Sequence, residues 1–352
     1  MSPRGGPSSR REDILSLSRY DPYLKALDEE LREVFSSREG FLYDMLRYHM
    51  GWTDQLGTPE YNPTPLHFPS MLALISCEAL SGDLRPALPA AAGVELVYNF
   101  ILVHEDVQTG KPEAQARPSI WQVWGPAQAI NAGDGLHSLG RTAVMRLAQR
   151  GVQPDRVLRA VESLDRACLT LCEGQFMDLS FQDRPMVTSA ACYDMIGRKA
   201  GALAGCSAEL GALAAGADDA MCARFRELGR LLGMAWQVSR DVEDLWGRRQ
   251  DGMPSNNVLN KKKSLPLVHA LESAGAGAKR ELGAIYMKRV LQPEDVSRLI
   301  DIMEQAGSRD FAEGKAKELA ERALETIDGA DLPEPGMEGL RHLGQWALQG
   351  SG

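Results

Sequence analysis

The sequence lacks the features that mark membrane-spanning, secreted and nucleic-acid-binding proteins. No window holds about 18 uninterrupted apolar residues, and the Pro-, Gly-, Ser- and Arg-rich opening has no signal-peptide core, so we expect a cytoplasmic protein without a transmembrane segment. The net charge of -9 gives no reason to expect a nucleic-acid partner. The six cysteines show no paired metal-binding spacing, which favours buried, reduced thiols.

Alternating strand patterns are absent, and no linker divides the chain after residue 25. Apolar residues instead recur at helical spacing, as at Leu96, Phe100, Val103 and Val107. Helices are predicted over 70–81, 89–109, 127–149, 154–182, 189–215, 219–247 and 264–274, with two or three more within 278–350. Residues 1–20 are predicted to be a disordered tail, and residues 21–352 one all-α domain of about ten to thirteen helices.

Two predicted helices end in carboxylates that are followed by a glycine-bearing loop. The first ends in Glu105 and Asp106, and the second carries Asp241 and Asp244. Because residues three or four apart share a helix face, Asp241 and Asp244 can converge. Two such clusters facing each other across a bundle could hold Mg²⁺, which prefers oxygen ligands and often bridges carboxylates to a diphosphate. Solvated acidic helix ends are the alternative for either cluster alone.

Residues 99–136 place the first acidic pair in a longer pattern. They read NFILVHEDVQTGKPEAQARPSIWQVWGPAQAINAGDGL, which closely resembles the trans-isoprenyl diphosphate synthases, also called polyprenyl synthetases. Later runs match this family in its order: EGQFMDLSF, YDMIGRKAGALAGCSAELGAL, AWQVSRDVEDLWG and KKKSLPLVHALE. The resemblance implies a single all-α bundle of the isoprenoid synthase type, a central prenyl-diphosphate cavity and a homodimer. It also implies that three Mg²⁺ ions hold an allylic diphosphate between two aspartate-rich motifs.

The chain departs from the family at the positions that carry this chemistry. Thr109 stands where the last acid of the first motif belongs, and Arg240 replaces the leading acid of the second. A cation at that position either blocks a metal ion or substitutes for it by contacting phosphate directly. Fewer magnesium ions than usual, or none, are therefore expected. The residues predicted to act in catalysis and metal binding are Glu105, Asp106, Asp241 and Asp244.

The basic residues that hold diphosphates in this family are also reduced. Ala114 and Gln115 replace an arginine pair and leave Arg117. The upstream element that binds isopentenyl diphosphate aligns with residues 64–69, TPLHFP, which carry no lysine or arginine. Phosphates need cations or donors nearby, so isopentenyl diphosphate is predicted not to bind. The resemblance implies these substrate-binding residues: Arg117, Lys199, Gln237, Arg240, Lys262, Lys263, Gln175 and Phe100.

The expected function follows from the family residues that this sequence keeps and from those that it has lost. Phe100 stands where bulky side chains floor the prenyl tunnel in this family, which implies a chain between farnesyl and geranylgeranyl length, although an aromatic residue at helical spacing is more often plain core. The predicted protein is an enzyme that ionises an allylic prenyl diphosphate without isopentenyl diphosphate, as a terpene synthase or cyclase does. Prenyl transfer to another acceptor, a non-catalytic regulatory subunit and ordinary chain elongation are the alternatives.

Overall fold

The structure, a computed structural model, describes residues 20–60, 67–111, 113–114, 117–247 and 256–350. The chain divides into two compact units between Leu66 and His67. The first unit contains helices α1 (Asp21–Phe35) and α2 (Phe41–His49). The predicted disordered tail lies outside the described residues except for Tyr20, which precedes α1. The prediction of one domain over residues 21–352 stays a prediction.

The second unit is helical almost throughout its described residues, which confirms the predicted all-α fold. Its helices are α3 (Phe68–Ser81), α4 (Leu88–Thr109), α5 (Ile120–Trp124), α6 (Pro126–Met145), α7 (Pro154–Gln182), α8 (Ser189–Ile196), α9 (Ala202–Ala214), α10 (Asp219–Trp246), α11 (Asn256–Leu259), α12 (Leu265–Ser273), α13 (Ala276–Met287), α14 (Pro293–Gln305), α15 (Ser308–Glu325) and α16 (Glu334–Gln349). Two short antiparallel strands, β1 (Glu113–Ala114) and β2 (Arg117–Pro118), follow α4. Four helices, α13 to α16, occupy the region where two or three were predicted.

Helix α4 forms the core of the second unit and packs against α3, α6 and α9. Its approach to α6 depends on glycine, because a Cβ added at Gly93 would lie 2.8 Å from the carbonyl oxygen of Gly140. The stretch Arg85–Thr109, which includes α4, is the one described helical stretch long and apolar enough to cross a membrane. Since 83% of its most apolar window is buried within the protein, it has the burial of a core helix.

Candidate active site

The last turn of α4 carries the first acidic pair, Glu105 and Asp106. Gly110 ends the helix with a φ of +63°, a left-handed conformation that favours glycine. The N–H of Lys111 then donates to the Asp106 carbonyl oxygen at 3.0 Å, which closes the helix end. The Thr109 hydroxyl donates to the Glu105 carbonyl oxygen at 2.7 Å. Thr109 therefore serves the backbone of its own helix and adds no charge where the family has an aspartate.

Lys199 lies in a π-helical turn, Gly197–Gly201, that joins α8 to α9. Single π turns within helices are frequently found at functional sites. Gly174 of α7 allows this turn to approach closely, because a Cβ at that position would lie 2.7 Å from the Lys199 backbone nitrogen. One helical turn further along α7, the Asp178 carboxylate accepts a hydrogen bond from Lys199 Nζ at 2.8 Å. The close packing of α7 on the π turn thus sets the position of the lysine.

Two lysines converge on the carboxylate of Glu105. Lys199 Nζ lies 3.1 Å and Lys262 Nζ 2.6 Å from Glu105 Oε1. Lys261, just before the second lysine, has a φ of +56°, a region that non-glycine residues seldom occupy. Burial alone would raise the pKa of Glu105, but the two ammonium groups outweigh burial and hold that pKa well below its usual range. Glu105 is therefore ionised and already neutralised by protein cations.

Asp106 has different surroundings from its neighbour. Its side chain is buried and makes no hydrogen bond or ion pair with another described residue. Burial raises the pKa of Asp106 to about 7, although the positive charge of Lys111 acts in the opposite direction. This carboxylate is consequently the least compensated of the four predicted metal ligands.

The second motif lies near the end of α10, and its two predicted metal ligands accept hydrogen bonds from neighbouring amides. Asp241 accepts from Gln237 Nε2 at 2.9 Å and from the Leu265 backbone N–H at 3.5 Å. Burial raises the pKa of Asp241 to about 6, against the effect of the Gln237 hydrogen bond. The side-chain amide of Asn257 donates to Asp244. Gln237, one of the predicted substrate-binding residues, thus contacts the second motif.

Arg240 is held by aromatic side chains rather than by a carboxylate. Its guanidinium carbon lies 4.9 Å from the centre of the Trp236 ring, and its Nη1 donates to the Tyr98 hydroxyl at 3.2 Å. No acid among the described residues lies within ion-pair distance of this guanidinium. Arg240 is thus a fixed cation in which most N–H donors remain available within the described part of the site.

These groups line a cavity of about 280 Å³. Its charged and apolar walls are formed by Lys111, Lys199, Arg240, Lys262, Glu105, Asp106 and Asp244, and by Ile101, Leu102, Leu171, Leu203 and Trp236. The charged residues of α4 lie on its last turn, whereas its apolar lining residues lie about one turn earlier. Asp241 and Lys263 line a neighbouring cavity of about 40 Å³ together with Asp178 and Asp244.

Four predicted substrate-binding residues lie outside the larger cavity. Phe100 packs on His104 and His137, with ring centres 4.8 and 5.3 Å away, and does not line this cavity, so its role at the floor of a prenyl tunnel stays a prediction. Ile101 and Leu102, on the adjacent face of α4, line the cavity instead. The reason is the helical period, which turns residue 100 towards α6. The other three are Arg117 in β2, Gln175, which donates to Gln108, and Lys263, which packs on Tyr286.

The sequence pattern missed several residues of the site. Lys111 follows the helix-ending glycine and lines the cavity, so its place directly after a motif could have revealed it. Tyr98 lies two turns before Glu105 on the same helix face, but an aromatic residue at helical spacing is not distinguished from ordinary core. No sequence pattern indicated Asn257, because nothing in the sequence shows that it contacts Asp244.

The upstream element offers no cation at its described positions. His67 forms a buried ion pair with Glu95, and Phe68 stacks on Trp236 with ring centres 5.5 Å apart. Residues 64–66 of this element and Gln115 of the lost arginine pair lie outside the described residues. Phe68, which the predicted match to the family element aligns with an arginine, is fully buried in the aromatic core.

The donors present do not fit three magnesium ions bound between two complete aspartate-rich motifs. Glu105 is neutralised by two lysines, Thr109 carries no charge, and Arg240 would repel a cation at its position. No cluster of three or more histidine, cysteine or acidic side chains with metal-binding geometry occurs among the described residues. That Glu105, Asp106, Asp241 and Asp244 hold a smaller number of ions stays a prediction.

Known proteins resemble this chain over most of its length. A family model described as polyprenyl synthetase matches residues 67–303, which is more than half of the chain. The geranylgeranyl diphosphate synthase of Mycobacterium tuberculosis is 34% identical over 330 residues, covering 92% of this chain and 91% of that protein. A polyprenyl synthetase structure from Streptomyces coelicolor has a TM-score of 0.84 at 29% identity, covering 92% of this chain and 97% of that chain.

A further solved structure shares the fold at lower identity. It is the geranylgeranyl pyrophosphate synthase of Corynebacterium glutamicum, complexed with isoprenyl diphosphate and magnesium, with a TM-score of 0.80. The sequences are 18% identical, and the match covers 94% of this chain and 99% of that chain, so it shows the fold alone. The family model and the 34% identical relative confirm the prediction of an enzyme of the polyprenyl synthetase family and support prenyltransferase activity. The chain belongs to the polyprenyl synthetase family.

Proposed function

We propose that this protein binds an allylic prenyl diphosphate in the larger cavity and ionises it without isopentenyl diphosphate. The observation that carries the proposal is the composition of the cavity walls. Lys199, Arg240 and Lys262 lie beside apolar surface from Ile101 and Leu203. A diphosphate requires cations and hydrogen-bond donors, and a prenyl chain requires apolar walls. One cavity offers both.

Ionisation breaks the bond between C1 of the prenyl chain and the bridging oxygen, and the electron pair leaves with the diphosphate. Negative charge grows on the leaving group, where the ammonium groups of Lys199 and Lys262 stabilise it. Positive charge grows on the allylic carbons, which lie beside the aromatic side chains of Tyr98 and Trp236 that line the same cavity. The cation then loses a proton to give an alkene, directly or after cyclisation, or it takes up water and releases a proton to give an alcohol.

The absence of basic side chains from the upstream element supports a reaction without isopentenyl diphosphate. Its described residues, His67 and Phe68, are committed to a buried ion pair and to an aromatic stack. Arg117 does not line the cavity. A second diphosphate therefore lacks the cations that a second anionic site requires. We further propose that fewer magnesium ions take part than in relatives with complete motifs, and that the protein forms a homodimer, which size-exclusion chromatography with light scattering would test.

A second candidate function is chain elongation with isopentenyl diphosphate. The relative from Mycobacterium tuberculosis, which is 34% identical, is a geranylgeranyl diphosphate synthase, and its name favours this reaction. In that case the prenyl cation is captured by the double bond of isopentenyl diphosphate, and a proton is lost to give a chain longer by one isoprene unit. The two candidates differ in one measurable requirement, the second diphosphate substrate.

The experiment compares geranyl, farnesyl and geranylgeranyl diphosphate, each with and without isopentenyl diphosphate and Mg²⁺. Pyrophosphate release and the organic products are measured. We expect release without isopentenyl diphosphate and a hydrocarbon or alcohol product. A longer prenyl diphosphate, formed only when isopentenyl diphosphate is present, would instead establish elongation. Transfer to a different added acceptor would identify the remaining prenyltransferase alternative.

Matched lysine variants separate the cavity from general effects of charge. Lys262→Gln removes a cavity cation and should lower turnover at least tenfold, because a charge-assisted hydrogen bond to the leaving group contributes roughly 1.5–3 kcal/mol. Lys317→Gln removes an exposed lysine that pairs with Glu321 and should leave turnover unchanged. If no substrate is turned over by the wild-type protein, both enzymatic candidates fail. A regulatory subunit would then be tested by mixing it with an active synthase.

A further inference from the structure

Among the described residues, the larger cavity carries more basic than acidic side chains. Four described basic residues, Lys111, Lys199, Arg240 and Lys262, line it, against three described acids, Glu105, Asp106 and Asp244. A site that binds diphosphate chiefly through divalent ions needs an excess of carboxylates to hold those ions. An excess of fixed positive charge instead attracts an anion to the protein itself. The charge balance of the cavity therefore suits a diphosphate without a full set of metal ions.

Arg240 is the residue that changes this balance most. It stands where the family has an acid, so the replacement exchanges a metal ligand for a cation. The Trp236 ring and the Tyr98 hydroxyl hold the guanidinium in place. No described carboxylate pairs with it, although a half-buried charge is costly without a counter-ion. A phosphate group is the counter-ion that matches the planar, multi-donor fork of a guanidinium.

Arg240 also shares its cavity with the two lysines that neutralise Glu105. Lys199 and Lys262 lie in the same walls, and both ammonium groups point towards Glu105 Oε1, which itself lines the cavity. An anion entering the cavity can therefore contact the guanidinium and the ammonium groups together. Three protein cations of one cavity would then contact the diphosphate.

We propose that Arg240 binds the diphosphate of the substrate directly and takes the place of a metal ion, so that the protein binds diphosphate without magnesium. This inference rests on the proposed function for the identity of the ligand, because a prenyl diphosphate is the substrate assigned to the cavity. It does not depend on turnover. Arg240 is a binding residue in this assignment, and Trp236 and Tyr98 are its positioning residues.

The test is calorimetric titration of the full chain with inorganic pyrophosphate, in EDTA and then in Mg²⁺. Wild-type protein should bind pyrophosphate in EDTA. Arg240→Gln should weaken that binding roughly 10- to 100-fold, because it removes a charge-assisted contact, whereas Arg240→Lys should recover part of the loss. Arg230→Gln is the matched control on the same helix; its guanidinium pairs with Glu227 and does not line the cavity. It should bind as the wild type does.

The reverse substitution, Arg240→Asp, restores the acid of the family motif. It should lose binding in EDTA and become dependent on Mg²⁺, with affinity at least tenfold higher in Mg²⁺ than in EDTA. Thermal unfolding of every variant confirms that loss of binding is not loss of folding. Should Arg240→Asp fail to fold, the comparison of Arg240→Gln with Arg240→Lys decides the question alone.

The outcomes separate this inference from the proposed function. Binding by the wild type only in the presence of Mg²⁺, or equal binding by wild type and Arg240→Gln in EDTA, would overturn the role of Arg240 and leave the proposed ionisation intact. Arginine-dependent binding in EDTA by a protein that turns over no prenyl diphosphate would support this inference and refute the proposed function. No binding under either condition would refute the inference as well.

Discussion

Lys262 Nζ lies 2.6 Å from Glu105 Oε1, although 157 residues separate the two in the chain. Lys199 completes the group from the π turn, so that one carboxylate is shared by two ammonium groups. Members of this family bind metal ions at this position, but the charge of Glu105 is already neutralised by the two lysines. The three residues tie together the end of α4, the π turn and the segment before α12, and they close the polar side of the cavity.

Removing the charge of Glu105 should destabilise the protein. Glu105→Gln removes a counter-charge shared by two largely buried lysines, with side chains 14% exposed, and leaves them Asp178, 2.8 Å from Lys199 and 3.8 Å from Lys262. We expect the free energy of unfolding to fall by about 1–3 kcal/mol, measured by urea denaturation. Glu318→Gln is the control, because Glu318 also contacts two cations, Lys315 and Arg322, but is 47% exposed. That control should change stability by less than about 0.5 kcal/mol.

A second buried ion pair gives a prediction about pH. Glu95 pairs with His67 and accepts from Asn99 Nδ2 at 2.8 Å. Burial would raise the pKa of Glu95, but the charge of His67 and the hydrogen bonds outweigh burial and lower it. A folded pKa below the unfolded value stabilises the protein above the unfolded pKa of about 4.3, and this contribution is lost as pH falls through the folded pKa.

Glu95→Gln should therefore destabilise the protein by about 3 kcal/mol at pH 7 and by progressively less as the pH falls below about 4. Urea denaturation of wild type and variant across this range measures the difference. A difference that stays constant from pH 7 to the lowest pH at which both proteins fold would show that Glu95 does not owe its contribution to its charge.

The helices that could be predicted are those whose apolar pattern is uninterrupted. Helix α4 was predicted over 89–109 and spans Leu88–Thr109. The single helix predicted over 189–215 is instead α8, a π turn and α9, because Gly174 of a distant helix packs against the turn. Such a contact between distant residues does not change the spacing of apolar residues in the local sequence. Too few helices were predicted within residues 278–350. The connection between α14 and α15, at Ala306 and Gly307, is too short to interrupt the helical pattern of apolar residues.

The identities of the site residues were more predictable than their partners. Motif positions indicated Glu105, Lys199 and Lys262, but the ion pairs among them depend on the folded positions of separate helices. The side of α4 on which Phe100 lies was not evident from the sequence, because α4 is apolar on more than one face, with buried Val97 and Val103 on either side of Phe100 in sequence. The helical period alone then does not reveal which face borders the cavity.

Gly174 is predicted to control the position of Lys199. Gly174→Ala would place a methyl group 2.7 Å from the Lys199 backbone nitrogen and 2.9 Å from Arg198 Cβ, so α7 and the π turn must move apart. We expect a loss of about 1–3 kcal/mol in unfolding free energy and weaker pyrophosphate binding. Gly314→Ala is the control, because this helical glycine has nothing within 4 Å of an added Cβ. That variant should gain about 0.5–1 kcal/mol, since alanine favours helix over glycine.

Thiol labelling should distinguish one cysteine from the other five. Cys172 is exposed, whereas Cys77, Cys168, Cys192, Cys206 and Cys222 are buried. The thiolate is the reactive form, and burial raises the pKa of Cys168, one helical turn before Cys172, to about 12. Native protein treated with iodoacetamide should gain one adduct rapidly by mass spectrometry, and six after denaturation. Cys172→Ser should remove the rapid adduct; rapid labelling that persisted in this variant would contradict the assigned burial.

The length of prenyl chain that the cavity accepts should depend on Leu102 and not on Phe100. Leu102 lines the cavity, so Leu102→Phe adds volume there and should weaken binding of geranylgeranyl diphosphate roughly tenfold relative to geranyl diphosphate. Phe100 packs on His137 outside the cavity, so Phe100→Leu should leave that ratio unchanged. Titration with both diphosphates measures the ratio for each variant. A change in Phe100→Leu with none in Leu102→Phe would mean that the face of α4 that carries Phe100 limits the chain, because only side chains in contact with the prenyl group can discriminate its length.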